Sequence, residues 1–222
     1  SELRTEEEQI DAIKSWWKDN GNALLLGIAL ALAAIFGWRA WQQSVIDEKE
    51  SASAMFFELS QAVTAAESAA GAEEDAEQQA ADISFLAERL VDAHSKHIYG
   101  DFARLYQARQ LVTAGEYAEA EAVLQGVNVK GEDNRALASI VTIRLARVKA
   151  AQQKYDDAIK LLDGDVNDSF YVTFHELKGD ILKMKGDRSS AKAAYEQALS
   201  RASELAQPTQ LLQLKISDLA DA

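Results

Sequence analysis

The sequence has 222 residues, a formal net charge of −13, one proline and no cysteine. That length suits one good-sized domain plus an extra element. The acidic balance, with no basic stripe to offset it, works against nucleic-acid phosphates, and the lack of thiols excludes disulfides and thiolate chemistry without fixing a compartment.

Residues 1–20 form a polar tail. Its first 19 residues carry three Lys/Arg (Arg4, Lys14, Lys18) against six acids. Ile10, Ile13 and Trp17 recur at i, i+3 and i+7, which predicts a short amphipathic helix lying on a membrane surface. From Asn20 to Trp38 no residue is charged, and the run from Ala23 to Phe36 is almost wholly apolar. This predicts a transmembrane helix at 21–41, since a bilayer needs about 17–25 apolar residues. A soluble core helix with every face apolar would need a larger surrounding core than this chain provides. A cleavable signal would want a basic leading region and a small-residue cleavage site. Here the leading region is acidic and the run ends in Phe36-Gly37-Trp38-Arg39.

Trp16 and Trp17 precede the run, Trp38 and Trp41 follow it, and these are the chain's four tryptophans. Indole favours the headgroup zone, where the ring is half immersed and its N–H stays wet. The 21 residues from Trp17 to Trp38 rise roughly 31 Å as a helix, close to the hydrocarbon thickness of about 30 Å. Lys14 and Lys18 against Arg39 give a slight positive-inside bias. The tail is therefore expected to be cytoplasmic and residues 42–222 translocated. Gly27, Ala31 and Ala34 lie four and three apart in the span, a spacing that admits close approach of another helix. In so alanine-rich a chain, plain apolar filler explains them equally well.

Beyond the span, residues 41–68 continue at helical spacing through Val45, Met55, Phe56, Leu59 and Val63. Residues 69–82 are small and acidic and read as a loop or solvated helix start. Ile83 to His94 resumes a core-facing helix, so the two segments make a degenerate first pair.

A repeated pattern follows. A helix, a tight turn and a second helix recur with an alanine at a fixed place and a large apolar residue after it. The copies are Ala114-Gly115-Glu116-Tyr117-Ala118-Glu119-Ala120, then Gln153-Lys154-Tyr155-Asp156-Asp157-Ala158, then Lys185-Gly186-Asp187-Arg188-Ser189-Ser190-Ala191 with Tyr195 and Ala198 beyond. The aligned Ala120, Ala158 and Ala191 are 38 and 33 apart, near the tetratricopeptide period of roughly 34. Small residues at Ala108, Ala146 and Gly179 in the preceding helices let paired helices approach. Gly115 and Gly186 suit a reversal needing positive φ, and Tyr117 and Tyr155 can pack over the turn. The repeats are expected at about 101–134, 139–168 and 172–205, with Ser169 to Phe174 opening a helix despite β-prone composition. A capping helix at 208–220 begins with Pro208 in its first turn, and Leu212, Ile216 and Leu219 lie on one face. The fold class is all-α: a single transmembrane helix followed by a tetratricopeptide-like α-solenoid. An ordinary antiparallel bundle is the alternative.

Chemistry-bearing patterns are weak. Asp163-Gly164-Asp165-Val166-Asn167-Asp168 resembles the start of a calcium loop, but Asp168 stands where glycine belongs and Phe174 where glutamate belongs. His94 and His97 are a helical turn apart without an evident third ligand, and His175 is alone. There is no phosphate loop, nucleophile elbow or triad signature. The expectation is a non-enzyme with no cofactor, no metal and no small-molecule substrate.

The stretch from Glu8 to Gly21, Glu-Gln-Ile-Asp-Ala-Ile-Lys-Ser-Trp-Trp-Lys-Asp-Asn-Gly, followed by the span, resembles the N-terminus of the YfgM family. So do Ile98-Tyr99-Gly100, Ile143-Arg144-Leu145-Ala146-Arg147-Val148, Leu177-Lys178-Gly179-Asp180, Lys185-Gly186-Asp187 and Leu214-Lys215-Ile216. The resemblance covers about residues 8–218. It implies a bacterial inner-membrane protein with a periplasmic repeat domain, an ancillary subunit of the SecYEG translocon that works with the membrane-anchored chaperone PpiD on emerging secretory proteins. The residues themselves reach only a tethered helical-repeat binding module. A chaperone-like or enzymatic unit with its own client chemistry and a generic envelope or cell-division scaffold stay open, and no groove residue is assigned to a partner.

Overall fold

The computed structural model describes residues 6–68, 76–131, 134–164 and 167–220. Among these residues the regular structure is helical throughout, with no strand. The helices are α1 (Glu6–Ser68), α2 (Ala76–His94), α3 (Ile98–Thr113), α4 (Tyr117–Gln125), α5 (Arg135–Ala151), α6 (Tyr155–Leu162), α7 (Tyr171–Lys185), α8 (Arg188–Glu204) and α9 (Gln210–Ala220). The chain divides into two compact units, 1–51 and 52–222.

In the first unit, residues 6–20 are helical as the opening of α1, not as the separate surface helix expected from the sequence. Residues 6–20, the apolar run and residues 42–68 are one uninterrupted helix. The physical reason is the lack of any stop signal. There is no proline between residues 6 and 68, and Gly21, Gly27 and Gly37 are isolated. A lone helical glycine costs only about 1 kcal/mol relative to alanine.

The second unit is a chain of four overlapping cores. Leu59 of α1 packs with Ile83 and Leu90 of α2 and Ala103 of α3. Leu105 of α3 then joins Leu124 of α4 and Val141 of α5. Ile143 and Ala146 of α5 join Leu162 of α6 and Phe174 of α7. Finally Leu182 of α7 joins Tyr195 of α8 and Leu212 of α9. Each core hands one helix to the next, the nearest-neighbour arrangement of a solenoid.

The turns inside the three later pairs share one hydrogen-bonding scheme. At the first, Gly115 N–H donates to Val112 O (3.1 Å) and Glu116 N–H to Leu111 O (2.8 Å). The same two bonds recur at Gln153 and Lys154, and at Gly186 and Asp187. This is a Schellman ending, which needs a left-handed residue after the helix. Gly115 (φ 81°), Gln153 (φ 61°) and Gly186 (φ 92°) supply it. A fourth such ending closes α8, with Ala206 (φ 52°) in the left-handed place.

Residues 76–82 are a solvated helix start, one of the two sequence readings of the acidic stretch: helix α2 begins at Ala76, and residues 69–75 lie outside the described residues. Two boundaries differ from the sequence reading. Helix α9 begins at Gln210, so Pro208 precedes it and the Gln213 N–H donates to Thr209 O at 3.0 Å. A short 3-10 turn at Asp168–Phe170, capped by the Asn167 side chain, leads into α7.

Candidate interaction surfaces

The first unit offers apolar surface. Among the described residues one helix, α1, is long and apolar enough to cross a membrane, and its apolar window is not buried by the rest of the chain. Trp16, Trp17, Trp38 and Trp41 are all more than half exposed. The Trp38 and Trp41 rings lie 5.0 Å apart, and the Trp17 ring covers Gly21. Gly27 faces open space.

In the second unit the repeat residues sit at close helix contacts. Ala120, Ala158 and Ala191 each occupy the fourth position of the second helix of a pair, and each is fully buried. Ala108, Ala146 and Gly179 are buried in the preceding helices. A methyl group at Gly179 would lie 2.4 Å from the Tyr195 ring, so only glycine admits that ring. Tyr195 and Ala198 are fully buried, while Tyr117 and Tyr155 pack at the edges of their cores. Gly115 and Gly186 have open space where a Cβ would stand; their backbone conformation is what favours glycine.

At the α7–α9 end, charge is paired. Lys215 Nζ lies 2.7 Å from Glu176 Oε1 and 2.7 Å from Asp180 Oδ1, and the Tyr195 hydroxyl donates to Asp180 Oδ1 at 2.8 Å. Burial lowers the Lys215 pKa, but its hydrogen bonds to Asp180 and Glu176 outweigh that and raise it overall. Burial, then the hydrogen bond to Asp180, holds the Tyr195 phenol protonated far into the alkaline range. Between α4 and α5, Glu121 meets Lys149 at 2.6 Å and Gln152 at 3.0 Å, and these bonds hold its carboxyl below the usual range.

The face shared by α3 and α5 is different. A hollow of about 290 Å³ lies among α3, α4 and α5, walled by Val112, Tyr117, Leu124 and Val148 and edged by Arg109, Arg144 and Arg147. Arg109 and Arg144 also line a neighbouring hollow of about 490 Å³ between α1 and α3. Arg109 pairs with Glu67 at 2.9 Å. Arg144 donates to the Leu105 carbonyl at 2.8 Å, and Arg147 is exposed. Among the described residues, neither Arg144 nor Arg147 has a carboxylate in ion-pair range. Burial, then the charges of Arg109 and Arg147, lowers the Arg144 pKa. Sequence reasoning quoted Arg144 and Arg147 only as part of a family block. Their i, i+3 spacing on one helix was the available signal, but pairing across to Arg109 is a tertiary fact.

The histidines do not share a helical turn. Helix α2 ends at His94, and His97 starts α3, where its Nδ1 accepts from the Tyr99 N–H at 3.4 Å. His175 packs against Tyr171, and burial, then Lys178, lowers its pKa. In the calcium-like stretch, Asp163 is ion-paired with Lys178 at 2.6 Å, while residues 165–166 lie outside the described residues.

A helix long and apolar enough to cross a membrane and a solenoid of helix pairs define, among the described residues, a helical-repeat protein with one candidate membrane span. The family model of the tetratricopeptide repeat-like domain matches residues 14–221. A Haemophilus influenzae protein named ancillary SecYEG translocon subunit is 32% identical over 214 residues, covering 96% of this chain and 97% of the relative. An Escherichia coli K12 protein of the same name is 30% identical, with 97% of each chain covered. A third, from Neisseria gonorrhoeae, is 26% identical over 96% of this chain and 97% of its own length. The chain belongs to this family of tetratricopeptide-repeat proteins, the YfgM family. No solved structure matches it.

Proposed function

We propose that this protein is a membrane-anchored interaction module that serves as an ancillary subunit of the SecYEG translocon. In this reading residues 1–20 are cytoplasmic, residues 21–41 anchor the chain in the bacterial inner membrane, and residues 42–222 act in the periplasm. There the repeat domain works beside the chaperone PpiD on translocated polypeptides, by association rather than catalysis. The observation that carries the reading is coverage. The Haemophilus influenzae and Escherichia coli relatives named as translocon subunits match the chain over 96–97% of its length, span and repeats together, rather than over a generic repeat.

Two joined contact surfaces, one in the bilayer and one in water, raise avidity by ~10²–10⁴ without any new contact. The test is co-purification from native membranes of three proteins: the whole chain, the repeat domain on an unrelated anchor, and the span alone. SecYEG and PpiD are expected with the whole chain and far less with either part. Recovery of neither from the whole chain would overturn the translocon reading and leave a scaffold for a different envelope partner. Protease added outside the intact inner membrane should remove the repeat domain; full protection would show the orientation to be inverted.

A further inference from the structure

We propose that the junction between α6 and α7 is a proton-sensitive joint, closed while the His175 imidazole is neutral and loosened when it takes up a proton. The proposal goes beyond the translocon reading and does not depend on it.

The seat of the ring is the first argument. His175 is half-buried on α7, and its Nδ1 is shut off from solvent with no hydrogen-bond partner among the described residues. The Tyr171 ring, one turn back, lies 4.2 Å away. Next to His175 in the chain, Phe174 is buried in the core shared by α5, α6 and α7, and Phe170 packs against that core. A neutral imidazole leaves one ring nitrogen bare, whereas the cation carries a proton on both. Protonation therefore sets an N–H at a buried point that offers no acceptor, and a buried donor without a partner is costly. The charged ring regains its hydrogen bonds only by leaving this seat for water.

The surrounding charges are the second argument. Those that bear on the ring are Lys178, one turn further along α7, and Asp163 at the end of α6. They pair with each other at 2.6 Å, which straps α6 to α7. Glu176, next in the chain, is held by Lys215 of α9. From α8, Arg201 bears on Tyr171 and on Asp168 of the turn before α7, and it is paired with Glu204. From α5 the shared core receives Ile143, Ala146 and Ala150, none of them titratable. Asp163 is thus already engaged. Burial and the Lys178 charge outweigh its pull and hold the ring's pKa below the ordinary value. A proton on His175 competes with Lys178 for Asp163 and weakens the strap.

Above the ordinary histidine value of about 6.5 the ring is neutral whether the joint is open or closed. As pH falls below it, the open joint takes up the proton first, and the closed form loses ground until the closed-state pKa is passed. Helix pairs in a solenoid touch only their neighbours, so one loosened junction lets the pairs on either side shift.

The test follows amide hydrogen exchange of the full-length protein in neutral detergent micelles from about pH 7.5 to about pH 5, corrected for the intrinsic pH dependence of exchange. Protection of α7 is expected to fall about threefold or more in the unmodified chain and to stay level in His175→Phe, which keeps a ring without a proton site. His175→Gln, polar but not titratable, should behave likewise and serves if the phenylalanine variant folds poorly. The His175 ring signals, assigned by their loss in either variant, should titrate with a midpoint below about 6.5. An equal fall of protection in the unmodified chain and both variants overturns the proposal, because acid then acts elsewhere. So does a midpoint at or above about 6.5, or a fall confined to α2 around His94.

Discussion

Arg144 and Lys215 are both long cations set partly inside the repeat domain, and they differ in what faces them. Lys215 is met by Glu176 and Asp180, with Tyr195 holding Asp180 from the other side. Arg144 meets a backbone carbonyl and two further arginines nearby. The first arrangement is self-sufficient and ties α9 onto the last repeat, covering an end that a solenoid must close. The second is incomplete electrostatically and lies beside a hollow. The same domain therefore holds one half-buried cation against carboxylates and another against a backbone carbonyl.

The largest expected effect breaks the self-sufficient end. Gly179→Val would drive a side chain into the Tyr195 ring, whose edge stands where a Cβ belongs. Overpacking of this kind costs about 2–3 kcal/mol, and urea unfolding of the detergent-solubilised chain should show it. A neutral result would mean that Tyr195 can leave its seat freely. Next, Lys215→Ala leaves two carboxylates facing each other without a cation. With these side chains a quarter to a third exposed, the loss should be about 1–2 kcal/mol, read as a lower melting temperature.

The pair formed by Glu121 sharpens the contrast through pH. Its folded pKa lies below the ordinary carboxylate value, through its bonds to Lys149 and Gln152. Its contribution is thus present above the unfolded pKa, about 4.3, and is lost as pH falls through the folded value. Glu121→Gln should lower stability at pH 7 by about 1 kcal/mol, and the gap between variant and wild type should narrow toward pH 3. A gap that widens in acid would show the pairing to be unimportant. Smallest of all, Arg147→Gln should leave the melting temperature nearly unchanged, within about 0.5 kcal/mol, because among the described residues nothing is bonded to it. A large destabilisation there would turn the open arginine into a structural one and erase the contrast.

Much of this architecture was legible in the residues. Helical periodicity gave the helices, and the fixed alanines with Gly115 and Gly186 marked two of the turns. The middle turn was harder. Gln153 takes the left-handed conformation that glycine takes in the other two pairs, and nothing in a glutamine announces that. The close approach at Gly179 was anticipated, but its partner, the Tyr195 ring, depends on how α8 packs on α7. The start of α9 was misplaced by two residues, because Thr209 rather than Pro208 stands at the helix entry. The uninterrupted α1 was missed because an amphipathic tail and an apolar span differ in composition, and a change of composition does not break a helix. The arginine-lined groove was the least legible feature. It unites residues 38 apart in sequence, Arg109 and Arg147, across two helices, and no local pattern encodes that meeting.

Site-specific photocrosslinking in native membranes tests most directly whether the repeat domain meets the translocon assembly. A photoreactive benzoylphenylalanine is placed at position 112, in the wall of the hollow, and in a second chain at position 192, on the exposed face of α8. Adducts with SecYEG or PpiD are expected from at least one of the two positions. Adducts with neither protein from either position would contradict the account of the repeat domain as a translocon-associated interaction module.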